Sequence, residues 1–241
     1  MIAPALHTKA HVASEGPYGP VRLVEDGVTG AVVSLWAWPA GAEAPALPVH
    51  PSAVRVRRLF QEGVQRYLVT EALNGLALDQ RSRPGPLSLR QAVAWLGELG
   101  GVLDLAHRLG MLHGRLEEKW VWTTTAGRLK LMWPAGPVTA ETEDDRRDFA
   151  ALAARMLAPF PVADAARAVC DRGTAGRFAT CREFLAALDG ALWIGTARPP
   201  ELPVLRHPRR IHGPQVVAYL LAGGGGLAAL TGAAVWLLAG R

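Results

Sequence analysis

A chain of 241 residues with 50% hydrophobic composition can bury one domain of about 190 residues with an extra segment, and falls short of two full domains. Lys plus Arg number 26 against 21 Asp plus Glu, a formal charge of +5, but the arginines are scattered rather than clustered on one face, which argues against a nucleic-acid partner. Cys170 and Cys181 lack metal-ligand company and a disulfide framework, so they read as small buried hydrophobes in a reducing compartment, and no basic segment leading into an apolar run marks a secretory signal at the N-terminus.

Residues 10–36 contain Gly16 and Gly19 where a tight turn between strands needs them, then strand-like runs from Val21 to Glu25 and from Ala31 to Trp36, joined through Asp26-Gly27 and Thr29-Gly30. Prolines at 39, 45, 48 and 51 rule out a long helix in the next segment. Val54 to Thr70 reads as a β-hairpin with core-facing apolar residues, and Arg81 to Pro86 as a polar connection. Ser88 and Gln91 have capping-box spacing, and Leu89, Val93, Leu96, Leu99, Leu103 and Ala106 recur every three or four residues until Gly110, which predicts a long amphipathic helix. A charged loop with His113 follows, then short strands at Val121-Trp122 and Leu129 to Met132 around a TTTAGR turn. Thr123, Thr124 and Thr125 are expected on that exposed turn, open to phosphorylation by an active kinase. EDDRRDFAALAARML starts acidic and carries Phe149, Leu152 and Met156 on one face; Thr180 and Glu183 form a second capping box ahead of a last apolar helix.

Residues 193–215 form a stiff, Pro- and Arg-rich linker. Residues 216–240 carry no charge and as a helix would reach about 37 Å at ~1.5 Å per residue, enough to cross a ~30 Å hydrocarbon core. Arg206, Arg209 and Arg210 precede this span and Arg241 follows it, so the positive-inside rule puts the preceding domain in the cytoplasm, on a single-pass anchor in the inner membrane. Ala218, Ala222 and Gly226, and likewise Gly224, Ala228 and Gly232, are small residues at four-residue spacing, which suits homodimerisation through the span as well as a merely Gly/Ala-rich composition.

In its order of motifs the chain resembles a bacterial Ser/Thr protein kinase. Ser14-x-Gly16-x-x-Gly19-x-Val21 is similar to the glycine-rich loop with its first glycine replaced, and VRLVEDGVTGAVVSLW to the two strands that follow. His50-Pro51-Ser52 and the hairpin after it resemble the HPN turn and the fourth and fifth strands. Thr70 stands as gatekeeper, with Glu71, Ala72 and Leu73 as a hinge whose backbone can meet an adenine. The resemblance implies an α+β, bilobal protein kinase-like fold: a small antiparallel β N-lobe over residues 1–72 with the regulatory helix reduced or missing, a mostly α C-lobe over 73–192, and the C-terminal transmembrane helix. It implies structural roles for His113, for Asp148, which would accept hydrogen bonds from the catalytic-loop backbone, and for Arg177, paired with Glu141 or Glu143.

The same resemblance locates what is missing. The strand that ends in Ala-x-Lys in active kinases ends here in Ser34-Leu35-Trp36; the HRDLKPEN run reads His113-Gly114-Arg115-Leu116-Glu117-Glu118-Lys119-Trp120; the metal-binding DFG triplet reads Trp133-Pro134-Ala135. Phosphoryl transfer needs a cation on the phosphates, oxygen ligands for the metal and a carboxylate to orient the nucleophile, and Trp36, Arg115, Trp120 and Trp133 supply none of these. The expected site is therefore a vestigial nucleotide cleft lined by Ser14, Gly16, Gly19, Val21, Ser34, Thr70, Glu71 and Leu73, with no catalytic residue, no metal and no required cofactor beyond weak or metal-independent nucleotide binding. Three functions follow as expectations: a membrane-anchored pseudokinase that binds an unidentified protein partner as scaffold or regulator; a divergent kinase using Lys9, Glu117 or Glu118 in new roles; and a structural anchor that recruits its partner through the linker.

Overall fold

The computed structural model describes residues 6–27, 29–81, 87–136 and 139–193, all within one compact unit. The linker and the span at 193–240 fall, but for Trp193, outside the described residues, and among those described no helix is long and apolar enough to cross a membrane.

The N-terminal part is an antiparallel sheet of β1 (Leu6–Gly16), β2 (Gly19–Asp26), β3 (Val32–Trp38), β4 (Val56–Glu62) and β5 (Gln65–Glu71) in the order β1-β2-β3-β5-β4. Gly19 turns the chain from β1 to β2 with φ of 111°, a conformation that glycine reaches without the Cβ penalty. The β3 alternation sends Ser34, Trp36 and Trp38 to one face, while Val33 and Leu35 join Val24 and Val69 in a small cluster on the other. Between β3 and β4 there is no helix; residues 39–55 hold turns, irregular chain and one isolated bridge, in keeping with their prolines. Instead, the chain at Ser52–Val54 runs alongside a strand of the second sheet. Leu131 N donates to Ser52 O (2.7 Å) and Val54 N to Leu131 O (2.9 Å), a parallel bridge centred on Ala53.

That second sheet comprises β6 (Gly75–Ala77), β7 (Val121–Thr124) and β8 (Leu129–Leu131), in the order β6-β7-β8. Pairing with β6 makes Thr123 an inner-strand residue, 4% exposed, with its hydroxyl donating to Leu76 O. The expected exposed threonine turn is thereby corrected: Thr124 bonds Arg128 through its hydroxyl, and Thr125 alone of the three is exposed.

The helices are α1 (Leu89–Arg108), α2 (Thr142–Leu157), α3 (Asp164–Thr174) and α4 (Cys181–Leu192). Ser88 Oγ accepts from Gln91 N at the start of α1, and Thr180 Oγ1 from Glu183 N at the start of α4, satisfying amides that have no partner inside the helix. Asp104, on α1, also accepts from Cys181 N and Arg182 N, both at 2.9 Å, so one carboxylate docks the N-terminus of α4, where the helix dipole favours negative charge. The helices meet closely: a Cβ on Gly100 would lie 2.6 Å from Leu185 Cδ1. Leu96, Leu99, Leu103, Phe149, Leu152 and Phe184 belong to a buried cluster that continues without a break into Trp36, Trp38 and Val21 of the first sheet. That continuity positions the candidate site, which lies where the sheets and helices meet.

Candidate functional site

Three segments converge on the cleft below the first sheet: the β1–β2 hairpin, the β3 and β5 ends, and the loop from Met111 to Trp120 with the residues after β8. Tyr18, at the tip of the hairpin, reaches across. Its hydroxyl accepts from Ala135 N (2.8 Å), and its ring sits edge-to-face on Trp38 (5.3 Å between centroids) and Trp120 (5.5 Å). Ser14 Oγ donates to Gln80 Oε1, and the Gln80 amide then pairs both ways with the Glu15 backbone, accepting from N (3.1 Å) and donating to O (2.6 Å). Gly16 is packed tightly, since a Cβ there would lie 2.8 Å from Val21 Cγ2 within the hairpin and 3.0 Å from Trp36 beneath it. The hairpin lies on aromatic rings.

Trp36 is 1% exposed. Its indole N–H donates to Thr70 Oγ1 (3.0 Å), and its ring meets Trp122 edge-to-face at 5.1 Å, a favoured geometry because the positive ring edge faces the negative π cloud. The backbone groups expected to form a hinge are also engaged within the chain. Leu73 N donates to Ser34 Oγ (2.8 Å), and Glu71 O accepts from Thr70 Oγ1 (3.0 Å), so these main-chain groups are taken by buried side chains rather than left for an adenine. The Glu71 carboxylate accepts from Lys130 Nζ (2.6 Å) and Arg55 N (2.9 Å).

The loop is anchored on its histidine and on α2. His113 is fully buried; Nε2 donates to Met132 O (2.9 Å), and Nδ1 accepts from Arg115 N (3.3 Å), which fixes the neutral Nε2–H tautomer. Burial holds its pKa down at about 4, against the raising influence of the Met132 carbonyl and of Asp145. Asp145, also fully buried, accepts from His113 N (2.8 Å), Gly114 N (2.6 Å) and His107 Nε2 (2.9 Å). Burial pushes this carboxyl up, but the bonds from His107 and the two amides outweigh it and keep it below the ordinary aspartate range. Asp148 does reach the loop, accepting from Leu116 N at 3.3 Å, but the principal acceptor is Asp145, one turn earlier on the same face of α2. Burial raises the Asp148 pKa.

Trp120 and Trp133 are 1% and 3% exposed. Trp120 lies between Tyr18 and His113 (6.1 Å); Trp133 tilts against His113 (5.2 Å) and donates its N–H to Leu112 O (3.2 Å). With each ring able to bury roughly 150–250 Å², the transfer term alone is about 4–6 kcal/mol per tryptophan at ~25 cal/mol/Å² as an upper bound. Arg115, by contrast, is exposed. Glu117 pairs with Lys119 (2.7 Å), and Glu118 with Arg155 (3.0 Å). Among the described residues no group of three or more His, Cys, Asp or Glu could hold a metal ion. Arg177 is exposed and its expected partners are engaged elsewhere, Glu143 with Arg147 and Glu141 with Asp144 in the capping box that opens α2.

The structure therefore gathers Ser14, Gly16, Val21, Ser34, Trp36, Thr70, Leu73, His113, Trp120 and Trp133 around one region and leaves Arg115 and Arg177 outside it. Lys9 lies in β1. Tyr18, Gln80, Trp38, Trp122 and Asp145 contribute to the region without having been singled out in the sequence.

No family model matches the chain. The serine/threonine-protein kinase PknA of Mycobacterium tuberculosis (strain H37Rv) is 33% identical over 98 residues, 38% of this chain and 23% of PknA, and the PknA of Mycobacterium bovis gives the same figures. A protein of Lactococcus lactis named "Probable serine/threonine-protein kinase PknB" is 28% identical over 83 residues, 34% of this chain and 13% of that protein. The chain thus covers less than a quarter of the length of these curated relatives. With the α+β arrangement of an antiparallel sheet followed by helices, this partial similarity supports a kinase-like family for the chain.

Proposed function

We propose that this protein is a membrane-anchored pseudokinase: a kinase-like domain on the cytoplasmic side of the inner membrane that acts by binding a protein partner, as scaffold or allosteric regulator, without transferring phosphate. The observation that carries the reading is the occupation of the cleft. Trp36, Trp120 and Trp133 stand where the resemblance calls for a phosphate-gripping lysine, a metal-binding asparagine and the start of the metal-binding triplet, and all three are buried. Arg115 stands where it calls for the aspartate that orients the nucleophile. Phosphoryl transfer uses three of these groups to neutralise charge and the fourth to orient the nucleophile, so restoring one residue would not restore the step. The retained His113–Asp145 anchoring keeps the loop's shape without its chemistry. Residues 193–215 as tether, 216–240 as span and self-association through the span complete the proposal.

A second reading, a divergent kinase, draws on the partial similarity to proteins named as kinases, with Lys9, Glu117 or Glu118 in new roles. The engagement of Glu117 by Lys119 and of Glu118 by Arg155 weighs against it. Transfer of labelled γ-phosphate from ATP to a generic protein substrate by the purified full-length chain separates the two. The proposal expects none above background with either magnesium or manganese. Transfer that disappears in E117Q or E118Q would establish the second reading instead.

A further inference from the structure

We infer that the β1–β2 hairpin is a strap that the chain closes over its own cleft, with Tyr18 occupying the place of a ligand and Gln80 holding the strap down. This inference rests on the binding-module reading above and concerns how that cleft is regulated. Four observations converge on the same few residues. Tyr18 joins both sides of the cleft, through its hydroxyl to Ala135 N and through its ring to Trp38 and Trp120. Gln80 grips the Ser14 hydroxyl and both backbone groups of Glu15 with one side chain. Gly16 permits an approach to the Trp36 ring, 3.0 Å from where a Cβ would stand, that a side chain would prevent. The β1–β2 ladder is irregular between Val12 and Ser14, just before the tip, and a break in a ladder is where a hairpin bends.

Beyond that break the two strands pair again at Ser14–Val21, Glu15–Pro20 and Gly16–Gly19, so the tip moves as one piece, held against the cleft by the Ala135 amide, Gln80 and the tryptophans. Such a segment opens at a lower free energy than the core it covers. Lifting it bares the Trp38 and Trp120 faces on which Tyr18 rests, while Trp36 keeps its bond to Thr70 and its contact with Trp122. The closed strap is thus an autoinhibitory contact, and the surface beneath it suits an uncharged aromatic ring rather than a phosphate.

Amide hydrogen exchange on the full-length chain tests this, with binding of the apolar dye ANS as a second readout. Three variants are compared with the parent: Y18A removes ring and hydroxyl, Y18F only the hydroxyl, and Q80A the grip on Glu15. The expected result is at least a tenfold faster exchange of the Ala135 amide in Y18A and Y18F, at least tenfold faster exchange at Glu15 in Q80A, ANS binding gained in Y18A and not in Y18F, and unchanged exchange in α2 and α4 throughout. Ala135 protection within twofold of the parent in Y18A, or equal ANS binding by Y18A and Y18F, overturns the strap. Should Y18A fail to fold, which faster exchange in α2 and α4 would reveal, Y18F and Q80A decide, and parent-like exchange at Ala135 and Glu15 in them overturns it. Phosphate transfer by the parent chain would defeat the binding-module reading while leaving these exchange rates to be judged by themselves.

Discussion

Replacing Trp36 by alanine removes one of the two tryptophans that meet at the junction of the two sheets, and the structure sets the size of the effect. The indole is 1% exposed, so the substitution leaves a cavity, and Trp-to-Ala changes in cores cost about 3–5 kcal/mol. The lost bond to Thr70 Oγ1 adds up to ~1 kcal/mol, held to the low end because the Thr70 hydroxyl keeps Glu71 O as its acceptor. A loss of about 4 kcal/mol is expected, which for a domain of this size lowers Tm by roughly 8–16 °C at ~2–4 °C per kcal/mol. Urea unfolding followed by tryptophan fluorescence measures it, and a double-mutant cycle with W122A isolates the ring pair at about 0.5–1.5 kcal/mol. W36K is expected to cost at least as much as W36A, because it places an ammonium group in the same buried site with no regulatory helix to supply a carboxylate. A loss under ~1 kcal/mol for W36A, or a W36K chain as stable as the parent, would refute the claim that the indole fills the cleft.

Three further outcomes follow from the same geometry. D145N weakens three hydrogen bonds at one buried carboxylate and is expected to cost about 2–4 kcal/mol; since the folded carboxyl titrates below its unfolded value of 3.8, the parent loses this contribution as pH falls below that value, and acid titration of D145N should lack that final decline. His113 acts at higher pH: with a folded pKa of about 4 against 6.5 unfolded, the unfolded chain alone takes up a proton between those values, so stability falls from pH 6.5 towards pH 4 by up to ~1.4 kcal/mol per pH unit, a slope that H113N should flatten in urea unfolding series. G16A should destabilise more than G19A, because its Cβ would meet Val21 and the ring of Trp36, whereas Gly19 has nothing within 4 Å and a φ of +111° as its only demand; thermal unfolding of both variants compares steric overlap with backbone strain of about 1 kcal/mol.

The elements that rest on local periodicity were legible in the sequence. The apolar spacing from Leu89 to Ala106 and the cap at Ser88 give α1, and the prolines from 39 to 51 give the missing helix, because each signal is complete within a few turns of chain. The contacts that define the cleft carry no such signal. A lone tyrosine in a glycine-bearing turn has no periodicity to say where its ring goes, and Gln80 finds Ser14 and Glu15 across sixty-odd residues. Asp145 and Asp148 lie one turn apart on one helix face, so spacing alone leaves open which sits under the His113 and Gly114 amides. Gly75–Ala77 is too short for a strand pattern, and without β6 the burial of Thr123 could not be foreseen. The Ser52–Val54 pairing with Leu131 joins segments far apart in sequence, where no local rule applies.

Whether the cleft can hold a metal-bound triphosphate decides between a binding module and an enzyme. Isothermal titration of the parent chain with ATP, run with and without magnesium, puts that question directly. No saturable heat that depends on the metal is expected, because the buried tryptophans at 36, 120 and 133 supply neither a cation for the phosphates nor oxygen ligands for magnesium. Stoichiometric binding of ATP that requires magnesium and is lost with EDTA would contradict it.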